Sequence, residues 1–356
     1  MISIQTSTPI KLHNIQALRG IAALLVMFSH LLMIDIKYSG DPILSQLLEV
    51  GMSGVDIFFV ISGFIMVYVT QNREHWKGRD ITEFLFARIT RIYPFYWLVS
   101  FALLIVYLAK PSLVFSGTQS DPNIIKSFLL WPNDTLPLLQ LGWTLIHEMG
   151  FYVIFAGLLF VGLKKLPYTL GLWALFIVAG HYAGWRALSP ELNILFHPLS
   201  LEFIAGAYLG LLYPKLGANK RLPLIALLIA LMALMLSLKD YTHFPTDFSR
   251  VAIFGTMSVA IVTSAVLFEK AKLYAPKPFQ HLGDWSYSLY LTHILTLSLL
   301  GRIWQPFAQK GMIDNIIALT LISVAAIIVA AITYYCFERP VLRMFQTSRR
   351  KIFKTI

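Results

Sequence analysis

The chain has few charged residues and almost no cysteine, and both shortages narrow its class. Only 13% of its 356 residues are charged, whereas a soluble domain carries about a quarter, and 57% are hydrophobic. One cysteine, Cys336, excludes an intramolecular disulfide framework and a cysteine-rich metal site. A Gly-rich phosphate loop, a Ser-His-Asp order and metal-ligand spacing are also missing, so no metal site is expected. The composition predicts an integral membrane protein.

Linkers and repeats are missing as well, which bears on domain organisation. No Gly-, Ser- or Pro-rich linker divides the chain, so we expect one transmembrane domain over 1–356 with a short basic cytoplasmic tail over 341–356. Pro340 is expected to stop the last helix, and the Arg and Lys residues after it suit an anionic inner leaflet. The N-terminal apolar run is not expected to be a cleaved signal peptide, because it is too long and lacks a small-residue cleavage site before Asp35.

The chain contains many long apolar segments. They predict an all-α polytopic membrane protein with about ten transmembrane helices. The fifth and seventh segments are short, and a charged run precedes the third, so nine and eleven spans stay open. The predicted spans are 16–35, 50–70, 92–109, 142–163, 168–184, 195–213, 222–238, 250–268, 286–304 and 315–337.

The distribution of Lys and Arg predicts the orientation of these spans. With an even count both termini share one side, and that side carries 21 of the 29 Lys and Arg residues. Because cytoplasmic loops are enriched in Lys and Arg, this asymmetry predicts that both termini are cytoplasmic. It also explains the net charge of +11 by topology, so no nucleic-acid partner is expected.

Arg19 and His30 are ionisable residues in or beside the first predicted span. The eleven positions between them, at about 100° each, return to nearly the same helix face. The rise of an α-helix separates the two side chains by roughly 16 Å along the axis. Ionisable groups inside a span are costly, so this pair is a functional-site hypothesis.

Two carboxylates are predicted at the depth of His30. Asp56 and Glu148 lie about five and six residues inside the outer ends of their spans, which places all three groups roughly 7–9 Å below the outer boundary. A carboxylate that orients the imidazole would make His30 a general base. The alternative is structural: His30 would only bond a neighbouring helix, and Asp56 would only cap or pair.

Arginines form a second candidate cluster on the predicted cytoplasmic side. Arg88 and Arg91 stand at i and i+3 just before the third span, and Arg19 joins them at the inner mouth. Guanidinium groups bind phosphate well through bidentate contacts. Positive-inside topology with lipid headgroup contact is the alternative for Arg88 and Arg91.

Other polar residues in the spans give weaker signals. Glu202 and His293 lie roughly a third of the way in from opposite sides. Trp143 precedes Glu148 by five positions and is a further candidate. Glu338 and Arg339, at the inner end of the last span, suggest an interfacial ion pair.

At these residues the chain resembles the acyltransferase-3 family of bacterial membrane acyltransferases, in particular its stand-alone members that acetylate exopolysaccharide or O-antigen. The resemblance extends over nearly the whole chain, and five segments in order carry it. They are Asn14-Ile-Gln-Ala-Leu-Arg-Gly20 running to His30, Gly54-Val-Asp-Ile-Phe-Phe-Val-Ile-Ser-Gly-Phe64, Arg88-Ile-Thr-Arg-Ile-Tyr-Pro94, Trp143-Thr-Leu-Ile-His-Glu148 and Ser286-Tyr-Ser-Leu-Tyr-Leu-Thr-His293.

The resemblance implies a multi-pass enzyme of the bacterial inner membrane that moves an acyl group to a sugar hydroxyl. The implied donor is cytoplasmic acyl-CoA, with acetyl-CoA favoured, used as a substrate with no tightly bound cofactor. The acceptor is an exported or lipid-linked saccharide, and membrane lipids surround the protein. Arg19 and His30 match the family's paired Arg and His, and Arg88 and Arg91 match its Arg-x-x-Arg motif.

Together these observations suggest a path for the acyl group. The three arginines would hold the CoA phosphates while the pantetheine arm runs along the face of span 1 to His30. His30, oriented by Glu148 or Asp56, would then deprotonate the hydroxyl or carry the acyl group itself. The sequence leaves both routes, the acyl group and the glycan open.

Two other classes of protein compete with this interpretation. Embedded His, Asp and Glu also occur in secondary transporters of small polar or sugar-like solutes. The chain lacks an internal repeat, and its polar groups are not concentrated at the midplane, which argues against a transporter. A purely structural membrane partner would not need so many embedded titratable groups.

Overall fold

The computed structural model describes residues 12–71, 73, 76–114, 121–218, 221–239 and 244–353, and these residues contain helices and no strand. The α-helices are α1 His13–Tyr38, α2 Gly54–Thr70, α3 Gly78–Ala109, α4 Ile124–Leu129, α5 Gly142–Leu159, α6 Leu166–Tyr182, α7 Pro190–Leu195, α8 Ser200–Leu212, α9 Leu222–Lys239, α10 Asp247–Arg250, α11 Thr256–Lys270, α12 Lys277–Asp284, α13 Ser286–Trp304, α14 Met312–Thr333 and α15 Arg339–Ile352. The predicted all-α class is confirmed.

Each of the ten predicted spans coincides with a helical element. Seven segments are long and apolar enough to cross a membrane, and α6 and part of α9 are shorter apolar helices. The charged run before the third span is continuous with it, because α3 extends without a break from Gly78 to Ala109. The chain is therefore a polytopic membrane protein. The number of crossings and the side of the termini stay predictions.

Apolar side chains on the outside of the bundle agree with a lipid environment. Leu228 and Met232 on α9, and Ile313, Ile317 and Leu321 on α14, are all exposed. Extended apolar surface of this kind is unfavourable in water and marks contact with a membrane or a partner. Asp56, Glu202 and His293, by contrast, are buried inside the bundle.

Glycine allows α2 and α8 to pack at backbone distance. A Cβ atom on Gly63 would lie 1.9 Å from the carbonyl oxygen of Phe203, and one on Gly206 would lie 2.0 Å from that of Val60. Small residues at a crossing are how membrane helices gain close packing when lipid removes the hydrophobic drive. This crossing fixes the position of α2, which carries Asp56 near its N-terminal end.

A similar close approach joins α1 to α12. A Cβ atom on Gly283 would lie 1.8 Å from the carbonyl oxygen of Gln16, and one on Gly20 would lie 2.7 Å from the amide nitrogen of Gly283. The Gln16 side chain also donates a hydrogen bond of 2.8 Å to Asp284. Because α13 begins directly after α12, this contact holds α13 alongside α1.

Pro340 does not stop the last helix, contrary to the expectation from sequence. A π-helical turn at Tyr334–Glu338 joins α14 to α15, and Pro340 occupies the first turn of α15. Proline is tolerated there because a first helical turn leaves its N–H groups unbonded anyway. The basic tail is thus helical as far as Ile352, and it packs on α3 through Phe345 and Phe353 against Phe86.

Candidate active site

A strongly basic cavity, here called the vestibule, lies between α1, α3, α12 and α15. Its volume is about 470 Å³. Six arginines and one carboxylate line it: Arg19, Arg88, Arg91, Arg339, Arg343, Arg349 and Asp284. An excess of guanidinium groups in a concave site favours an anionic ligand, especially one that carries phosphate.

A second cavity, here called the inner cavity, continues from the vestibule into the bundle. Its volume is about 290 Å³, and apolar residues of α2 make up much of its wall. The two cavities share Arg19, Arg88 and Arg91, which we call the neck. The three arginines that the sequence predicted to act together therefore do lie together, at the junction of a basic and a largely apolar space.

Arg91 is the member of the neck that has a direct ionic partner. Its Nη1 lies 2.6 Å from Oε1 of Glu338, and the Oγ of Ser288 donates a hydrogen bond of 2.6 Å to the other oxygen of Glu338. The predicted ion pair between Glu338 and Arg339 is therefore wrong. Arg339 instead lies over the ring of Tyr335, because the π-helical turn directs Glu338 inward.

Arg88 and Arg19 have no ion pair with a carboxylate among the described residues. The Nε of Arg88 is buried without a hydrogen-bond partner in that part of the chain, and its guanidinium lies over the ring of Tyr152 at 5.9 Å. Glu338 and Glu148 are the carboxylates whose negative charges act on Arg19. A buried cationic donor without a partner is costly, so an anionic ligand at the neck would relieve that cost.

Glu148 lies in the inner cavity near the neck, not against His30. It accepts a hydrogen bond of 2.9 Å from Ser62 and another from Tyr152, one helical turn further along α5. The expectation that Glu148 orients His30 is therefore not met by the contacts. The sequence placed Glu148 and His30 at the same depth, but depth does not determine which faces of their helices are turned toward each other.

His30 has another histidine as its neighbour. The Nε2 of His293 lies 3.4 Å from the Nδ1 of His30, and the two rings meet edge to face with centroids 5.0 Å apart. The sequence treated His293 as a separate, weaker candidate on the opposite side of the membrane. His293 lies beside His30 because the close packing of α1 with α12 holds α13 alongside α1.

Backbone hydrogen bonds define the tautomers of both histidines. His30 Nδ1 is 2.8 Å from the carbonyl oxygen of Val26, and His293 Nδ1 is 2.9 Å from that of Leu289. Since a carbonyl oxygen can only accept, each Nδ1 carries the proton in the neutral rings. His293 Nε2 is then an acceptor turned toward His30, and His30 Nε2 keeps a lone pair with no partner among the described residues.

Asp56 is held by an arginine that the sequence analysis did not consider. Both of its carboxylate oxygens accept hydrogen bonds of 2.9 Å from the guanidinium of Arg250, which makes the ion pair bidentate. Asp56 is fully buried. Asp56 therefore does not orient His30, and its alternative role as a structural ion pair is the one that the contacts fit. Buried Glu202 lies close enough to act electrostatically on this pair, and its oxygens lack a hydrogen-bond partner within the described chain.

Trp143 belongs to the surroundings of the same ion pair. Its ring lies 5.8 Å from the guanidinium carbon of Arg250 and 5.8 Å from the ring of His147. His147 in turn packs against His197, with ring centroids 4.6 Å apart. These residues form a second polar region of the protein that is separate from the neck.

The inner cavity does not follow the predicted face of α1. On α1 its lining ends at Arg19, and it continues between α2, α5 and α13 as far as Tyr290. The ring of Tyr290 lies 6.1 Å from that of His293 and 6.0 Å from that of Phe58. Tyr290 thus lines the inner cavity and also packs near His293, the neighbour of His30.

Some of these partners left signals in the sequence. Arg250 opens the eighth predicted span at the same outer boundary as Asp56, and opposite charges at one depth are candidates for pairing. His293 closes a family-like segment and is one of few histidines within a span. Glu338 gave no signal that pointed to Arg91, since 247 residues separate them.

No group of three or more His, Cys, Asp and Glu side chains suited to a metal occurs in the described ranges.

The fold and these cavities define a polytopic membrane protein with an arginine-lined chamber that leads toward titratable groups between its helices. The chain belongs to the acyltransferase-3 family, because the family model described as an acyltransferase domain matches residues 12–335. It is therefore a membrane acyltransferase, as the resemblance in its sequence predicted.

Individual relatives agree with this membership. The chain is 31% identical to the exopolysaccharide production protein ExoZ of Rhizobium meliloti, over 84% of this chain and 92% of that protein. It is 24% identical to the acyltransferase MdmB of Streptomyces mycarofaciens, over 96% and 94% of the two chains. It is also 24% identical to the peptidoglycan O-acetyltransferase OatA of Listeria monocytogenes, of which it spans 51%. No solved structure gives a significant match.

Proposed function

We propose that this protein transfers an acyl group, with acetyl favoured, from acyl-CoA to a hydroxyl group of an exported or lipid-linked glycan. The names of its relatives support the acceptor class, since they include an exopolysaccharide production protein and a peptidoglycan O-acetyltransferase. The observation that carries the proposal is the junction of the basic vestibule with the inner cavity at the neck.

The two cavities match the two parts of an acyl-CoA molecule. The nucleotide end carries phosphates and suits the arginines of the vestibule and neck, whereas the pantetheine arm and thioester are less polar and suit the inner cavity. Acyl-CoA is available in the cytoplasm. We therefore place the vestibule on the cytoplasmic side of the bacterial inner membrane, in agreement with the predicted excess of Lys and Arg on that side.

His30 is the proposed catalytic residue. In the general-base route its Nε2 takes the proton of the glycan hydroxyl while the hydroxyl oxygen bonds to the thioester carbonyl carbon. The carbon–sulfur bond then breaks, the CoA thiolate leaves, and the proton passes from His30 to that sulfur. In the second route His30 Nε2 bonds to the thioester carbonyl carbon, and the carbon–sulfur bond breaks to release the CoA thiolate. The glycan hydroxyl oxygen then bonds to that carbon, the carbon–nitrogen bond breaks, and the hydroxyl proton passes to the thiolate. Both routes need Nε2 unprotonated, which the bond from Nδ1 to Val26 favours.

His293 is the proposed positioning residue for His30. When His30 gains a proton or an acyl group at Nε2, its Nδ1–H becomes a stronger donor, and the lone pair of His293 Nε2 faces it at 3.4 Å. This is the role that the sequence analysis gave to a carboxylate. A neutral acceptor costs less to bury within the membrane than a carboxylate does.

The other candidate residues receive supporting roles in this proposal. Glu148 holds Tyr152 and Ser62 in the wall of the inner cavity beside the neck. Asp56 fixes Arg250, beside which Trp143 lies, and buried Glu202 belongs to the same region. This second polar region lies away from the vestibule, and we assign it to the side from which the acceptor enters.

Donor consumption by the purified protein tests the proposed function. Full-length protein in nanodiscs would be given radiolabelled acetyl-CoA with and without a saccharide acceptor, and label in the saccharide would be counted. We expect label in the saccharide and release of free CoA. Acceptor movement across proteoliposomes without any use of acetyl-CoA would contradict the proposal and favour a transporter. Mass spectrometry of surface glycans from cells with and without the gene would identify the acyl group and the acceptor.

A further inference from the structure

Helix α15 supplies half of the arginines of the vestibule, although it lies outside the segment that the family model matches. The match ends at residue 335, and α15 spans Arg339–Ile352. Arg339, Arg343 and Arg349 all line the vestibule. At about 100° per residue these three positions span roughly 120° of the helix, so α15 presents a broad basic stripe to the cavity.

This stripe is anchored in place. Phe345 of α15 packs against Phe86 of α3, and the side chain of Arg79 donates to the carbonyl oxygen of Ile352 at the end of the helix. Arg349 lies 3.8 Å from Glu83, a carboxylate that Arg73 also approaches at 3.5 Å. The helix is therefore docked on α3 by both apolar and polar contacts, with its basic face toward the vestibule.

The carboxylates nearby neutralise this face only in part. Asp284 is the one carboxylate in the lining of the vestibule, and it accepts a hydrogen bond from Gln16, while Glu83 lies 3.8 Å from Arg349. Arg343 forms no ion pair with a carboxylate in the described part of the chain. A concave surface with so much uncompensated positive charge needs a ligand with more than one phosphate group to balance it.

The order of the two cavities determines which part of a donor would reach α15. When the thioester lies in the inner cavity, the pantetheine arm of the donor extends from it through the neck toward the vestibule. The diphosphate at the other end of that arm then lies at Arg19, Arg88 and Arg91. The part beyond the neck is the adenosine with its ribose phosphate, and α15 supplies the arginines of the vestibule that do not belong to the neck.

We propose that Arg343 and Arg349 bind the ribose 3′-phosphate of the donor, so that α15 selects CoA over nucleotides and CoA derivatives that lack this phosphate. This inference rests on the proposed function, because it takes acyl-CoA as the donor. It adds a specificity-determining element that the Arg-x-x-Arg motif and the paired Arg and His do not contain.

Binding of CoA and of 3′-dephospho-CoA to the full-length protein in phosphatidylcholine nanodiscs tests this inference. We expect wild-type protein to bind CoA at least about tenfold more tightly, since one charge-assisted phosphate contact is worth about that factor. The variant Arg343→Gln/Arg349→Gln should bind CoA about tenfold more weakly and 3′-dephospho-CoA with unchanged affinity. Arg350→Gln is the matched control, because Arg350 is exposed on the same helix and does not line the vestibule.

The outcomes separate the inference from the proposed function. Equal affinity of the wild-type protein for the two ligands, or an equal loss of both in the double variant, would overturn the role of α15 and leave the acyl-CoA donor intact. That result is expected if these arginines bind lipid headgroup phosphate instead. Failure of the wild-type protein to bind either ligand would overturn the acyl-CoA donor itself.

Discussion

His30 and His293 form an edge-to-face pair in which Nε2 of His293 lies 3.4 Å from Nδ1 of His30. Each ring is also fixed by a hydrogen bond from its Nδ1 to the carbonyl oxygen four residues earlier on its own helix. The pair therefore leaves one nitrogen, His30 Nε2, without a partner in the described part of the chain and available to act on a substrate. The following predictions test this arrangement and the contacts around it.

The role of His293 predicts a loss of turnover without a loss of donor binding. We expect His293→Ala to lower kcat about tenfold to hundredfold and to leave the KM for acyl-CoA unchanged, because the neck is intact while the Nδ1–H of His30 loses its second acceptor and keeps only the carbonyl oxygen of Val26. His293→Gln should recover part of the activity, since its side-chain oxygen can accept from His30 Nδ1. Steady-state kinetics in nanodiscs measures both. Equal activity of His293→Ala and wild type would remove His293 from the mechanism.

The neck predicts donor binding that depends on salt. We expect Arg88→Ala to raise the Kd for CoA about tenfold or more, with a larger effect at low ionic strength, because a charge-assisted phosphate contact is lost. Isothermal titration at two salt concentrations measures the change. Arg302→Ala is the control, since Arg302 is bonded to the carbonyl oxygen of Leu113 and lines neither cavity. Unchanged affinity in Arg88→Ala would assign Arg88 to membrane topology or lipid contact.

The ion pair between Asp56 and Arg250 predicts a change in stability. Removing one partner of a buried pair leaves an uncompensated charge, so Asp56→Ala should lower the free energy of unfolding by about 3–5 kcal/mol. The double variant Asp56→Leu/Arg250→Met removes both charges and should regain much of that loss. Thermal unfolding in detergent compares the three proteins. A stable Asp56→Ala variant that transfers no acyl group would instead make Asp56 catalytic.

The crossing of α2 and α8 predicts sensitivity to a single methyl group. A Cβ atom at Gly206 would collide with the backbone of Val60, so Gly206→Ala should cost about 3 kcal/mol or more and lower the yield of folded protein. Gly157→Ala on α5 is a matched control, because a Cβ atom there meets nothing within 4 Å. It should be neutral or slightly stabilising, since Ala favours helix over Gly. Size-exclusion profiles in detergent compare the two variants, and identical profiles would contradict the packing argument.

Local properties of the sequence were enough to predict the helices. A span is predicted from the length of its apolar segment and from the Lys and Arg residues that flank it, and both can be read from that segment alone. All ten predicted spans fall on helical elements. The grouping of Arg19, Arg88 and Arg91 was also predicted, because each lies at the same end of its span. Pro340 was misjudged because a proline in the first turn of a new helix resembles one that ends a helix.

Contacts between helices could not be predicted in the same way. The pairs His30–His293 and Asp56–Arg250 depend on which helices are neighbours and on how each is rotated about its axis. Depth estimates favoured Glu148 and Asp56 as partners of His30 and placed His293 nearer the opposite side, yet His293 is the residue that contacts His30. In the folded chain the backbone contact at Gly20 and Gly283 places α13 beside α1 and so brings His293 to His30. That contact produces no hydrophobic pattern by which the sequence could reveal it.

Transfer by the His30→Ala variant is the most direct test of the central claim. The variant would be inserted at the wild-type level in nanodiscs and given radiolabelled acetyl-CoA with a saccharide acceptor, while CoA binding is measured in parallel. The account predicts CoA affinity close to that of wild type and acyl transfer lowered at least about a hundredfold, because the neck is intact and the nucleophile or base is gone. Wild-type transfer by this variant would contradict both proposed routes through His30.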